Sequence, residues 1–167
     1  MTWLSFHFYP LETTEVFLVR AVKPFLEQFV WPVKGARAFF ILYEDEKGSH
    51  IRLRIRGESE WLAEILQPTL EGWFADRGTC KMAPYEPEKE RFGGDEPLAL
   101  AEEHFHVSTR VVLDRIGRGV YTYGDGMFDA LRMHTITAFA AGMSREKAAW
   151  YFAQLCEQWL PVFFRPA

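Results

Sequence analysis

Hydrophobic and polar residues alternate with a period of two in two stretches near the start of the chain, which is typical of strands with two different faces. The first stretch runs from Trp3 to Tyr9 and ends at Pro10. The second runs from Ser49 to Arg56. Its apolar face carries Ile51, Leu53 and Ile55, and its cationic face carries His50, Arg52, Arg54 and Arg56. The second stretch therefore predicts a core seam on one side of a sheet and a row of arginines on the other.

Two further strands are predicted beside these. The segment from Ala36 to Tyr43 is rich in residues that favour strands, and a short polar connection returns the chain to Ser49. These two strands are therefore expected to be antiparallel neighbours. The stretch from Thr79 to Ala83 is a candidate for a last strand.

Apolar residues at helical spacing between the strands predict two helices. One begins at Thr13 or Thr14 and ends before Pro32, and the other follows Ser59 and runs to about Asp76. The element order is then β-α-β-β-α-β, which is typical of ferredoxin-like α+β folds with an antiparallel sheet and one open face. By the alternation along the strands, the arginines lie on that open face.

The charged segment from Pro84 to Gly94 is predicted to be a loop, and about three helices are predicted after it. These helices cover about Glu96 to Ile116, Asp125 to Ala141 and Ser144 to Leu160. We expect them to form a C-terminal helical layer over the open face, which leaves a cleft with an arginine floor. A single domain over residues 1–167 is predicted, with the sheet and two helices in 1–83, the loop in 84–94 and the helical layer in 95–167.

Composition restricts the partners of such a protein. The 167 residues are 49% hydrophobic and 25% charged, and no window reaches the roughly 18 consecutive apolar residues of a membrane span. No basic segment precedes an apolar run at the N-terminus, so we expect a cytoplasmic protein without membrane contact. A net charge of −4 argues against direct nucleic-acid binding, and an arginine row in such a chain favours an anionic partner.

Metal and cofactor patterns are not found in the sequence. Cys80 and Cys156 have no ligand or disulfide spacing, and His104 and His106 do not share a helical face. No phosphate-binding loop, dinucleotide fingerprint or Ser/His/Asp pattern occurs. We therefore expect neither a metal nor a cofactor.

Two long stretches resemble one protein family. FFILYEDEKGSHIRLRIRG, residues 39–57, is similar to that family's FFIRYxDPxxHLRLRxxG segment, and YEPEKERFGGDEPLALAEEHFHVSTRVVL, residues 85–113, is similar to its YExExERYGGxxAMxxAExxFxxDSxxVL segment. Their order and spacing agree, and the opening strand at Trp3 fits the family's start. The chain thus resembles the thiopeptide-type bacteriocin biosynthesis domain, which is also the C-terminal glutamate-elimination domain of lantibiotic dehydratases.

This resemblance implies a role in the maturation of ribosomally made peptides. In such dehydratases a separate domain glutamylates a serine or threonine of a precursor peptide with glutamyl-tRNA, and the elimination domain expels glutamate to leave a dehydroamino acid. The implied partners are the precursor peptide and a glutamylating dehydratase subunit. Related members in thiopeptide pathways instead join two dehydroalanines into a six-membered nitrogen ring and release the leader peptide.

The resemblance also implies which residues are catalytic. The family's functional arginines correspond to Arg52, Arg54 and Arg91, and its functional histidine corresponds to His134. Forked guanidinium donors suit a glutamate carboxylate, and an imidazole can act as the base of a β-elimination at neutral pH. The chain departs from the family pattern in three places, at Phe92 (tyrosine in the family), at Val107-Ser108 (DS in the family) and after His134 (no NR dipeptide).

Further residues on or near the cationic face are expected to contact the substrate. They are Arg56, His50, His7, Tyr9 and Tyr85. His7 and His50 are also alternative candidates for the base. The arginines could instead pair with the protein's own acids in the following loop, Glu86, Glu88 and Glu90.

Three functions follow from these observations. The first is a lyase that eliminates glutamate from a peptide lying across the sheet. The same-family alternative is a pyridine-forming cyclase, and the alternative from another class is a non-catalytic precursor-binding subunit of a dehydratase complex. Because 16% of the residues are aromatic, we expect exposed aromatic area on the surface. A homodimer is one assembly that would cover it.

Overall fold

The computed structural model describes residues 1–46, 48–119 and 123–163. They fall into two compact units, Met1–Val120 and Tyr121–Ala167. Lys47, in the predicted connection between two strands, and the side chain of Cys156 lie outside the described residues. A single domain over the whole chain stays a prediction.

The first unit contains a four-stranded sheet in which all neighbouring strands are antiparallel. Its strands are β1 (Thr2–Pro10), β2 (Arg37–Asp45), β3 (Gly48–Gly57) and β4 (Gly78–Met82). The spatial order is β2-β3-β1-β4, so β2 and β4 are the edge strands. The predicted α+β class is confirmed, and each predicted strand is present within two residues of its expected ends.

Two helices connect the strands, α1 over residues 14–30 and α2 over residues 61–74. Stretches of both have π geometry, namely Leu18–Val22, Leu26–Val30 and Trp61–Leu66. Pro24 and Pro68 lie beside these stretches. A proline donates no backbone hydrogen bond and its ring pushes away the carbonyl one turn earlier, which accounts for the wider turns near each proline.

The core lies between these helices and the apolar face of the sheet. Four phenylalanines form its centre, with ring centroids of contacting pairs 4.5 to 5.7 Å apart: Phe8, Phe17, Phe25 and Phe74. Ile51, Leu53 and Ile55 of β3 join the same core and are fully buried. The core seam predicted for β3 is therefore confirmed, and the arginines of β3 lie on the opposite face.

Gly78 begins β4 with a φ of +132°, and a Cβ at this position would collide with Tyr9 O and approach Pro10 Cα to 2.9 Å. We expect Gly78→Ala to lower the free energy of unfolding by about 2–4 kcal/mol, because both the backbone angle and the space are unfavourable. Urea unfolding followed by circular dichroism measures this loss. Gly72→Ala is the matched control, since a Cβ there meets open space and replacing a helical glycine stabilises by up to about 1 kcal/mol. Equal losses in both variants would contradict the prediction.

The loop after β4 contains a short helix, α3 (Lys89–Phe92), and leads to the long helix α4 (Asp95–Gly117). The buried residues of α4 share one face of the helix and include Glu102, His106 and Thr109. His106 Nδ1 lies 3.2 Å from the backbone N of Ala38 and 3.1 Å from its carbonyl oxygen, so its tautomer decides which of the two groups it bonds, and the N–H of Phe40 donates to Thr109 Oγ1 (3.3 Å). Helix α4 therefore lies along the outer edge of β2, whereas the sequence predicted a layer over the open face.

The second unit consists of α5 (Tyr123–Ala140) and α6 (Arg145–Phe163), which contact each other. The backbone N–H of Lys147 donates to Ser144 Oγ (3.3 Å), so Ser144 caps the start of the last helix. Among the described residues, no helix is both long enough and apolar enough to cross a membrane.

Candidate functional site

The open face of the sheet brings side chains from three strands together in cross-strand register. Arg52 is paired with His7 of β1, and Arg54 is paired with Ser5 of β1 and Phe39 of β2. Directly opposite residues in antiparallel strands have Cα atoms about 4.5–5.5 Å apart, so their side chains are neighbours. The two arginines therefore lie on the central strand pair of this face.

The guanidinium of Arg54 contacts two aromatic rings. Its guanidinium carbon lies 4.4 Å from the centroid of Tyr85 and 5.5 Å from the centroid of Phe39. Burial, followed by the charge of Arg52, lowers the pKa of Arg54. Within the described part of the chain its Nε has no hydrogen-bond partner, and neither has the buried Oγ of Ser5 on the paired strand. Arg54 is thus fixed by ring contacts and keeps donor capacity for a ligand.

Tyr85 reaches this position from the loop after β4. The N–H of Ala83 donates to Ser5 O (3.0 Å), which ties the start of the loop to β1. The Tyr85 hydroxyl donates to Glu102 Oε1 of α4 (2.8 Å), and burial raises the pKa of Tyr85 well above its ordinary value. The phenol of Tyr85 is therefore neutral at neutral pH, and its ring is held in place beside Arg54.

Arg52 is positioned by different contacts. Its guanidinium carbon lies 3.5 Å from the ring centroid of Tyr43 on the edge strand β2, and its Nε donates to His50 Nε2 (3.1 Å). An arginine Nε always carries hydrogen, so His50 accepts at Nε2 and carries its hydrogen on Nδ1. That nitrogen lies 3.3 Å from Gly48 O and 3.8 Å from Asp45 Oδ2. Because both nitrogens of the buried His50 are engaged, the residue positions Arg52.

Asp45 closes this network at the end of β2. Its Oδ2 accepts a hydrogen bond from the Tyr9 hydroxyl (3.1 Å), and the Tyr9 ring stacks on His50 with centroids 4.7 Å apart. Desolvation and the hydrogen bond to Asp45 raise the pKa of Tyr9, so it remains a donor. Tyr9 therefore supports the network around Arg52.

His7 is the half-buried histidine of the open face. Its ring centroid lies 5.2 Å from that of His50. Burial, then the charges of Arg52, His50 and Arg54, lower the pKa of His7. His7 is therefore neutral at neutral pH and can offer one hydrogen-bond donor and one acceptor to a ligand.

The lowered pKa of His7 predicts a pH effect on stability. The unfolded chain takes up a proton at His7 more readily than the folded protein, so we expect the free energy of unfolding to fall as the pH is lowered from about 7 to about 5. His106, whose pKa is also lowered by burial, adds to the fall. Urea titrations at both pH values should show a smaller fall in His7→Gln, with the exposed His104→Gln as control. If the free energy of unfolding fell by the same amount in His7→Gln as in the unchanged protein, the lowered pKa of His7 would be contradicted.

Two further predicted arginines, Arg91 and Arg56, have other neighbours than Arg52 and Arg54 do. Arg91 is exposed on α3 and forms an ion pair with Glu88 Oε2 (2.7 Å). Pairing with an acid of this loop was the alternative expected for the arginines. Arg56 is paired in register with Trp3 and Arg37 at the far end of the face. By contrast, neither Arg52 nor Arg54 forms an ion pair with a carboxylate within the described residues.

His134 lies on α5 in the second unit and is exposed. The neighbouring Arg132 forms an ion pair with Asp129 at 3.8 Å one turn earlier on the same helix. The imidazole of His134 is therefore available to a substrate, and its role as base stays a prediction.

Three residues of the site were not predicted from the sequence. They are Tyr43, which stacks on Arg52, Asp45, which accepts from Tyr9, and Glu102, which accepts from Tyr85. All three lie within the two stretches that resemble the family, and that is the signal that could have identified them. In the ranges that the structure describes, no group of three or more His, Cys, Asp or Glu side chains could hold a metal ion.

Comparison with known proteins gives a family and a fold. The family model for the C-terminal region of the lantibiotic biosynthesis dehydratase matches residues 3–165. The chain is similar to the tRNA dependent lantibiotic dehydratase MibB from Microbispora sp. 107891, with 27% identity and a TM-score of 0.63 over 72% of this chain. It is also similar to TbtD, the pyridine synthase from thiomuracin biosynthesis, with 15% identity and a TM-score of 0.58 over 73% of this chain.

The chain spans 12% of MibB and 50% of TbtD. At 15% identity the likeness to TbtD concerns the fold alone. No curated protein matches the chain.

Proposed function

The chain belongs to the lantibiotic biosynthesis dehydratase C-terminal family, and on this basis we propose that it eliminates glutamate from glutamylated serine or threonine residues of a ribosomally made precursor peptide. The products are dehydroalanine from serine and dehydrobutyrine from threonine. The similarity to MibB over 72% of this chain supports the proposal, because MibB is described as a tRNA dependent lantibiotic dehydratase.

The observation that carries the proposal is a pair of arginines on the open face that have no carboxylate partner among the described residues. Arg52 and Arg54 are each fixed by aromatic contacts, and Arg54 keeps a buried Nε without an acceptor in the described part of the chain. Same-face neighbours along a strand are about 6.6–7 Å apart, so the two guanidiniums can hold both ends of a short dianion or one carboxylate between them. A glutamyl group carries the ester oxygens and a free side-chain carboxylate, which fits this spacing.

The elimination requires three events at the glutamylated residue. A base takes the α-hydrogen, the C–H electron pair forms the Cα=Cβ double bond, and the Cβ–O bond breaks so that glutamate leaves as a carboxylate. Negative charge develops on the substrate carbonyl oxygen and on the leaving group during these events. Fixed guanidinium donors stabilise that charge more than they stabilise the neutral ester, which lowers the barrier.

We assign the base to His134, as the resemblance implies, and a binding role to His7. His7 lies directly opposite Arg52 and is neutral, so its N–H can donate to the glutamate carboxylate that the arginines hold. Tyr85 keeps Arg54 in place through its ring, and Tyr9 and His50 keep Arg52 in place. In this scheme Arg91 and Arg56 lie outside the glutamate site.

Mass spectrometry tests the proposal. The purified protein is incubated with a peptide that carries one glutamyl-serine ester, and we expect a loss of glutamic acid that yields dehydroalanine. Binding of the peptide without any change of mass would instead support a precursor-binding subunit. Ring formation on a peptide with two dehydroalanines would support a cyclase.

A further inference from the structure

Among the described residues of the first unit, the outer edge of β2 is only partly covered. Helix α4 covers the outward backbone groups of Ala38 with the side chain of His106, and Thr109 of the same helix accepts from the outward N–H of Phe40. In a strand, alternate residues direct their backbone groups to the same edge, so Leu42 and Glu44 direct theirs outward as well. Within the described residues, no acceptor meets the N–H of either residue.

This uncovered part of the edge is also apolar. Leu42 is 56% exposed and Tyr43 is 47% exposed. Edge strands of soluble proteins are usually protected by lysine, proline, a bulge or a covering element, because unpaired backbone groups bind other strands. Here α4 protects the first half of β2, and residues 41–43 carry neither a charge nor a proline, whereas Glu44 and Asp45 at the end of the strand are charged.

We propose that the precursor peptide binds as an added strand along this uncovered edge, residues 41–45 of β2, with its glutamylated residue beside Tyr43. The occupant is one extended peptide segment, paired through its backbone with Leu42 and Glu44. This inference rests on the proposed function for the identity of the peptide, and it adds where the peptide lies and how it is recognised.

The position of Arg52 supports this placement. Its guanidinium lies over the ring of Tyr43, which is a residue of the edge strand β2. An added strand would lie about 4.8 Å beyond β2. A glutamyl group on the open-face side of that strand would then reach over Tyr43 to Arg52, with its carboxylate directed to His7 and Arg54 in the centre of the face.

Charge restricts which peptide fits. The end of β2 is acidic, with Glu44, Asp45 and Glu46 in sequence. Acidic residues in the peptide would be repelled there, whereas neutral or basic residues would be accepted. The glutamate itself avoids this repulsion because it lies toward the arginines. The edge therefore fits a peptide whose residues next to the glutamylated position are not acidic.

Leu42→Pro tests the backbone pairing. Proline removes the outward N–H of residue 42 without affecting the hydrogen bonds between β2 and β3, and prolines are tolerated at such positions of edge strands. Binding of a fluorescently labelled glutamyl-serine peptide, measured by anisotropy, should weaken about tenfold or more in Leu42→Pro. Leu42→Val keeps the N–H and should bind within about twofold of the unchanged protein. Circular dichroism and thermal unfolding of both variants verify the fold.

A second measurement reads the same pairing from the peptide. Methylation of single backbone nitrogens of the peptide should weaken binding at every second position, because only alternate residues of an added strand donate to β2. Equal affinity of Leu42→Pro and the unchanged protein, or an N-methyl pattern without a period of two, would overturn the proposal in favour of a peptide lying across the open face. A dimer that Leu42→Pro dissociates in sedimentation would overturn it in favour of a second copy at this edge.

The two proposals fail in different ways. If the peptide binds and Leu42→Pro weakens binding but no glutamate is released, the edge proposal holds and the proposed elimination fails. If glutamate is released with equal KM in Leu42→Pro and the unchanged protein, the elimination holds and the edge proposal fails.

Discussion

Arg54→Lys is expected to lower kcat/KM for glutamate release by about 100-fold. A lysine keeps a positive charge but loses the planar fork that can hold a carboxylate through two hydrogen bonds. It also loses the guanidinium contact with the ring of Tyr85, whose centroid lies 4.4 Å from the Arg54 guanidinium carbon. Burial already lowers the pKa of Arg54, and a lysine in the same surroundings loses charge more readily. Release of glutamate from the glutamyl-serine peptide, followed by mass, measures the loss.

The matched control is Arg110→Lys. Arg110 stacks on Trp31 with its guanidinium carbon 5.0 Å from the ring centroid, so this variant also replaces a stacked arginine by lysine. Arg110 lies on α4, and neither it nor Trp31 is among the described contacts of Arg52 or Arg54. We expect glutamate release to stay within about twofold in this control. Full activity of Arg54→Lys would remove Arg54 from the proposed carboxylate clamp.

His134→Gln is expected to lower kcat by about 100-fold or more while the affinity for the glutamylated peptide changes little. Glutamine retains hydrogen-bonding groups and an amide of similar size, but it cannot take a proton. A loss in kcat without a loss of binding is therefore the signature of a base rather than of a binding residue. Single-turnover kinetics together with anisotropy titrations separate the two quantities.

Two other histidines make this experiment selective. His104→Gln removes an exposed histidine from α4 and should leave turnover within about twofold. His7→Gln should weaken peptide binding, because His7 is proposed to donate to the glutamate carboxylate. If His7→Gln instead lost turnover at unchanged affinity and His134→Gln did not, the base would be His7 on the sheet.

The strands and their faces were predictable from the sequence because burial imposes a period of two on them. Ile51, Leu53 and Ile55 are fully buried, and the alternation alone placed Arg52 and Arg54 on the other side. The helices after the loop were predictable for the same kind of reason, since apolar spacing and caps such as Ser144 are local. Local patterns also gave the order of elements from β1 to β4.

The position of α4 was not predictable in this way. Glu102, His106 and Thr109 share one face of α4. Because all three side chains are polar, this face is expected to be exposed when only the helix is considered. These side chains are buried because they meet the unpaired backbone groups of the edge strand and the hydroxyl of Tyr85. A helix that covers the edge of a sheet needs polar side chains that can bond the free backbone groups of the edge strand. A helix that covers the face of a sheet needs apolar side chains instead.

By itself, the sequence determined that this protein has an α+β fold with an arginine row on the open face of its sheet, and the two long stretches in register indicated its family. Only the tertiary structure decided which side chains surround the arginines and that, among the described residues of the first unit, α4 covers only part of the β2 edge. Tyr85 meets Arg54 from 31 positions further along the chain, and Thr109 meets Phe40 from 69 positions further along. Periodicity describes how a segment faces the core, whereas contacts between distant segments depend on how the whole chain packs.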